Sequence, residues 1–318
     1  MPARSAWGHG LATITDDGAV LDAWYPAPVL GLPAGTPVPA GLTAAVRTDP
    51  ARGVRVEVVT TLIDLDTAPV DVPDAYLRLH LLSHRLVAPG EQNLDGLLTM
   101  LPTVVWTDAG PCTTDGFEAT RARLRAAHGR PVTVHGIDRL PRMTDYVIPS
   151  GVRVVDAARV RLGAYLAEGT TVTPEGFVGH DAGTLGASRV GGHVSTGVVV
   201  GEGTDIGCGA SVSPCGEPQA GSGAQVVSLG RRCLLGAGSG LGIPLGDDCM
   251  VEAGLHVMAS TEVRMIGFGG HDGDLVVARD LAMSEGMAFR RGPSTGAVEA
   301  VARAEVGTSP GSAPHSPG

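Results

Sequence analysis

The chain of 318 residues contains no lysine, so each of its 23 basic side chains is an arginine. It carries a formal charge of −10 and has no basic run, which argues against nucleic-acid binding. Aromatic residues make up 3%. Five cysteines, Cys112, Cys208, Cys215, Cys233 and Cys249, are scattered without a C-x-x-C pair. Their spacing gives no thiolate zinc site and suits a reducing compartment. No stretch approaches the ~20 apolar residues of a membrane span, and the first twenty residues lack the apolar segment of a signal peptide. A cytoplasmic protein is therefore expected.

What is abundant is glycine, 47 residues, alongside 43% hydrophobic side chains. There is no three-residue glycine period, so a collagen-like chain is excluded. A mean hydropathy of +0.16 argues against disorder. Some other regular architecture must use the glycine.

Residues 1–145 read as a mixed α/β domain. "VRVEVVTTLIDL" (54–65) has strand composition. "DAYLRLHLLSHRLV" (74–87) has helical spacing behind Pro73, and "DGFEATRARLRAAHG" (115–129) predicts a second helix that stops at Gly129. "RPVTVHGI" follows as a strand. His80, His84 and His135 lack acidic partners at useful spacing and read as packing or surface residues.

From about residue 148 the period changes. Ile148, Val154, Val160, Leu166, Val172 and Val178 recur every six residues. The step returns at Val194, Val200, Ile206 and Val212, at Leu229, Leu235 and Leu241, and at Leu245, Val251, Val257 and Val263. A six-residue period is that of a parallel β-helix, in which three hexapeptides make one triangular coil. Aliphatic side chains stack inward at the ~4.8 Å interstrand spacing, each contributing roughly 1.5–3 kcal/mol. The steps from Val178 to Val194 and from Val212 to Leu229 break the period. "GHDAGTLGASRVGGH" and "SPCGEPQAGSGAQVVS" are accordingly expected to protrude as loops, where function tends to be placed. Residues 146–265 form the expected β-helix domain, 266–305 a C-terminal extension, and 306–318 a disordered tail.

Seven segments, "DAYLRLHLLSHRLVAP", "DGFEATRARLR", "PRMTDYVIPSGVRV", "EGFV…AGTLGAS", "RRCLLGAGSGLGIPLGDDC", "VEAGL" and "FRRGPSTGAVE", resemble the actinobacterial tetrahydrodipicolinate N-succinyltransferases. The likeness runs from about Gly10 to Arg303. It implies a mainly β fold: a left-handed parallel β-helix behind an N-terminal α/β domain, with a short C-terminal extension. It also implies homotrimers with active sites between subunits. The implied reaction moves succinyl from succinyl-CoA to the amino group of a ring-opened dicarboxylate, a small amino-acid acceptor. By the same resemblance, coenzyme A and acyl contacts fall at Cys208, Ser211, Ala237, Glu252, Ala253, Ser260, Arg290, Arg291, Gly292 and Pro293, and acceptor contacts at His180, Asp181 and Ser195.

The catalytic stretch departs from the family pattern V-E-G-R-I-S. This chain has Val190, Gly191, Gly192, His193, Val194 and Ser195, with Gly191 at the position of the catalytic glutamate. Pro214 stands where a backbone N–H is expected, and Cys208 replaces a glycine. A metal pair, with Mg2+ the candidate ion, would keep Glu175 but lose its aspartate at Ala158. Three readings follow. In the first, an acyl-CoA-dependent N-acyltransferase uses His193 as general base, with Glu175, Glu202 or an acyl-carrying Cys215 as other candidates. In the second, a non-catalytic paralogue binds an acyl-CoA or amino acid and regulates. In the third, His180, His193 and His256 hold zinc across a subunit interface.

Overall fold

The computed structural model describes residues 4–33, 35–213 and 227–303. Chain contacts divide it into two compact units. The first contains Met1–Val152 with Asp156–Leu166 and Val178–Gly183, and the second contains Arg153–Val155, Ala167–Phe177 and Thr184–Gly318.

The first unit is built on long antiparallel strands. Ser5–Thr15 pairs along its whole length with Val54–Asp64 and also with Val20–Trp24. The helix Val72–Ser83 is buried almost from end to end, because its apolar residues surround the turn rather than forming one stripe. Its one buried guanidinium, Arg78, is compensated by Asp74 at 2.6 Å and by the carbonyls of Asn93 and Asp64. His80 is a packing residue, as expected. Its Nδ1–H donates to Tyr76 O at 2.7 Å and its Nε2 accepts from Tyr25 N–H at 3.2 Å, the pattern of a neutral ring. Burial pushes its pKa down to about 3. Val104–Thr107 pairs with Gly110–Thr113 and with Val134–Asp138. The helix Phe117–His128 ends on Gly129 in the left-handed region at φ 65°, the expected stop.

In the second unit the six-residue period becomes short parallel strands, one per side of a coil. On one side Arg153–Val154, Thr171–Val172, Arg189–Val190, Asp205–Ile206, Leu234–Leu235 and Met250–Val251 stack in register, and the stack ends against Ala288 and Phe289. On a second side His193–Val194, Ser211–Val212, Gly240–Leu241 and His256–Val257 do the same. Val199–Val200 and Ser228–Leu229 lie on the third. Val172, Val200, Ile206, Val212, Leu235, Leu241, Leu245 and Val257 are fully buried. After the coil, strands Glu262–Ile266, Leu275–Val277, Met287–Arg291 and Val298–Ala302 pair with one another.

Two expectations are corrected. Ile148, counted as the first inward residue, is 77% exposed. The segment between Val178 and Val194 is not an excursion, because Gly183–Thr184 and Arg189–Val190 are strands of the coil with Thr184 and Val190 fully buried. Thr184 takes an inward place that the apolar count passed over, and its hydroxyl is satisfied by Thr170 Oγ1 at 2.7 Å. The second expected loop, with Pro214 and Cys215, lies outside the described residues, as does the tail from 304.

Candidate active site

With Thr184 and Val190 restored to the inward row, the irregularity shrinks to one corner. Val190 and Val194 are both buried but only four residues apart, so Gly191 and Gly192 make a turn two residues shorter than its neighbours. Gly191 N–H donates to Ile206 O at 2.7 Å. A Cβ on Gly191 would meet Ile206 O at 2.9 Å, and one on Gly192 would meet Ala210 O at 2.2 Å. The turn is thus pressed onto the next coil, and no carboxylate stands at 191.

The short turn delivers His193 to the outward face. Its backbone N–H donates to Ala210 O at 2.7 Å, and it sits opposite Ser211. Its ring stacks on Phe177 with centroids 4.5 Å apart and planes 8° from parallel. The stack fixes the ring plane, and the strand fixes its height on the face. Ser195 and Ser213 share a hydrogen bond at 2.7 Å, and Ser211 reaches Ser213 at 3.2 Å, so three hydroxyls lie beside the imidazole's strand. One outward row continues through Ser211 and Gly240 to His256, whose ring lies over Gly240. Three strand steps separate His193 from His256, about 14 Å at the usual spacing. Within one chain they share no metal, and the described residues contain no cluster of three His, Cys, Asp or Glu fit for one.

Of the expected donor contacts, Cys208, Ala237, Ala253 and Arg291 lie along one edge, whereas Ser211 lies on the side of His193. Cys208 O accepts from Gly238 N–H and Ala237 O from Gly254 N–H, both at 2.9 Å. Cys208, Ala237 and Ala253 therefore occupy successive corners, with the Gly191 corner on the coil before. Arg291 continues the line: its N–H donates to Glu252 Oε2 at 2.7 Å. Cys208 is an exposed free thiol beside the Arg189 guanidinium, which also donates to Asp205 at 3.0 Å. Arg290 pairs with Glu299 at 3.3 Å, close against Gly292. The Arg291 side chain is exposed and makes no ion pair among the described residues, so its charge is available to an anion. Pro293 and Ser260 are exposed.

His180 and Asp181 fall in the first unit and Ser195 in the second. Burial pushes the His180 pKa down to about 4, against the pull of nearby Asp138. Asp181 holds a left-handed backbone at φ 48° and accepts from Gly90 N–H at 2.9 Å, while burial raises its pKa to about 6. Glu175 is exposed, and Ala158 offers no ligand atom. These two residues do not fit a magnesium pair.

Phe177 went unnoticed in the sequence. Both it and His193 directly precede an inward valine, Val178 or Val194, and this was the available signal.

Comparison with known proteins is consistent across the chain. Residues 101–142 match the family described as the middle part of tetrahydrodipicolinate N-succinyltransferase, and 226–259 match the hexapeptide repeat of succinyl-transferase. The 2,3,4,5-tetrahydropyridine-2,6-dicarboxylate N-succinyltransferase of Salinispora tropica is 49% identical over 98% of both chains. The protein of the same name from Vibrio cholerae is 41% identical, covering 92% of this chain and 94% of its own. That from Pseudomonas paraeruginosa is 48% identical over 76% of this chain and 69% of its own. A solved structure from Campylobacter jejuni, described as a 2,3,4,5-tetrahydropyridine-2-carboxylate N-succinyltransferase, superposes with a TM-score of 0.79 at 26% identity, covering 94% of this chain and 92% of that one. The coil is thus the left-handed parallel β-helix of that fold.

Proposed function

Because the chain belongs to the tetrahydrodipicolinate N-succinyltransferase family, we propose that it transfers succinyl from succinyl-CoA to the amine of an amino dicarboxylate, with His193 as the proton acceptor. The observation that carries this assignment of the base is the position of His193. It is held outward by a rigid strand, stacked on Phe177, one turn from a Gly191 that can take no proton.

The amine must lose a proton as it attacks the thioester carbonyl. The new C–N bond forms, the C–S bond breaks, and the imidazole takes the proton that the leaving thiolate later collects. Ser195, Ser211 and Ser213 supply hydroxyls on the same face, and the edge through Cys208, Ala237, Ala253 and Arg291 suits the extended arm of the donor. Arg291, with Arg290 behind it, is placed to meet a phosphate. His180 and Asp181 are proposed acceptor contacts. A homotrimer with sites between neighbouring copies and a cytoplasmic location complete the proposal. It is supported by family membership and, among the described residues, by four free thiols and by the lack of any helix long and apolar enough to cross a membrane. Magnesium has no part in it.

The test is release of coenzyme A thiol from succinyl-CoA with and without tetrahydrodipicolinate, with acetyl-CoA in parallel. The expected result is release that requires the acceptor, prefers succinyl-CoA and yields the N-succinyl product. Thiol release no faster than spontaneous hydrolysis, with either donor and with other amino-acid acceptors, would overturn the proposal.

A further inference from the structure

A succinyl thioester differs from an acetyl thioester by a carboxylate at the far end of the acyl chain. The base cannot neutralise that charge, because His193 has to be uncharged to take the proton of the amine. Ser195, Ser211 and Ser213 are neutral hydroxyls. Arg291 stands at the other end of the edge. From the Gly191 corner the steps are Gly209 N–H to Gly191 O, Gly238 N–H to Cys208 O, Gly254 N–H to Ala237 O, and Arg291 N–H to Glu252. Those coil steps separate Arg291 from the corner by about 19 Å, beyond the reach of its side chain.

Arg189 stands at the corner itself. It is the outward residue of the strand Arg189–Val190, two before Gly191, and His193 is the outward residue two after it. The two side chains therefore flank the Gly191–Gly192 turn on one coil. The Arg189 side chain is 49% exposed and lies beside the Cys208 thiol on the edge. Asp205, its partner in register on the next coil, takes one N–H at 3.0 Å. That contact is one-point and exposed on both sides, so it steers the guanidinium toward the edge and leaves its other donors for a second carboxylate. Other arginines of the second unit are placed elsewhere. Arg231 and Arg232 are paired with Asp247 and Asp248 on later coils. Arg153 shares the outward row of Arg189 but sits two strands earlier, about 10 Å away.

We propose that Arg189 binds the terminal carboxylate of the succinyl group, fixing the acyl chain beside His193 and selecting a dicarboxylic acyl donor over acetyl. The planar guanidinium matches the two carboxylate oxygens. This assignment rests on the transferase reading with His193 as base.

The test measures kcat/KM of the whole protein with succinyl-CoA and with acetyl-CoA at saturating tetrahydrodipicolinate. Arg189→Met should lower the succinyl-CoA value about tenfold or more, chiefly through KM, and leave the acetyl-CoA value unchanged. Arg189→Lys keeps the charge and should recover part of the loss, while Arg153→Met should match wild type. The acetyl-CoA rate also reports that Arg189→Met is folded. Equal loss with both donors, or an undiminished preference for succinyl-CoA in Arg189→Met, would overturn the proposal. Absence of wild-type turnover with either donor would count against the transferase reading instead, and calorimetric titration with the two thioesters then decides. A wild-type binding preference for succinyl-CoA that is lost in Arg189→Met supports the assignment. No preference, or one retained in the variant, overturns it.

Discussion

Gly191 and Gly192 lie against the next coil to different degrees. The nearest backbone oxygen to an added Cβ is 2.9 Å away at 191 and 2.2 Å away at 192. Gly192→Ala should therefore destabilise by ~3 kcal/mol and Gly191→Ala by ~1 kcal/mol, in that order, by thermal melting. Equal melting temperatures for the two variants would refute the account of the corner. His193 was visible in the sequence because a histidine among small residues draws notice. Its ring partner Phe177 was not, because the shortened corner places the two on neighbouring rungs sixteen residues apart, an interval that is no multiple of six. The substitution at the glutamate position was legible only through resemblance, and the room around it only in the folded coil.

Among the elements, the rungs follow from period and burial. Each places one aliphatic side chain on the axis, with a like residue on either side. Leu235 is fully buried in such a stack, between Ile206 and Val251. Leu235→Ala should cost ~2–5 kcal/mol, read as a lowered melting temperature, while substitution of the exposed neighbour Ala237 should leave it unchanged. An unshifted Leu235→Ala would mean that the stack is not what holds the coil. Apolar counting found these rungs and missed the one at Thr184, where an inward hydroxyl finds its partner in Thr170. The helix over 74–87 was expected nearly in place. It begins earlier, at Val72, because Asp71 accepts from Asp74 N–H at 2.8 Å and so caps the first turn. It ends at Ser83, two residues before Arg85 turns left-handed at φ 62°. Capping is a three-residue effect that the wider helical pattern obscures.

In the molecule as a whole, a chain with net charge −10 must handle an anionic donor and an anionic acceptor using arginine alone. The solenoid answers by ordering dispersed residues: Cys208, Ala237, Ala253 and Arg291, far apart in sequence, fall on one edge. For the first three that alignment was implicit in the six-residue step once the inward rows were set; for Arg291, which lies beyond the repeat, it was not. The hand of the coil was not, since periodicity is the same for either hand and came only with the family. On the proposed reading the reaction uses one imidazole in place of a carboxylate. The direct measurement is kcat/KM against pH for wild type and His193→Ala with succinyl-CoA and tetrahydrodipicolinate. A base must be unprotonated, so wild-type rates should fall toward acid pH. The variant should be slower by ~10²-fold and lack that acid limb. An unchanged rate with the same acid limb in His193→Ala would contradict the account.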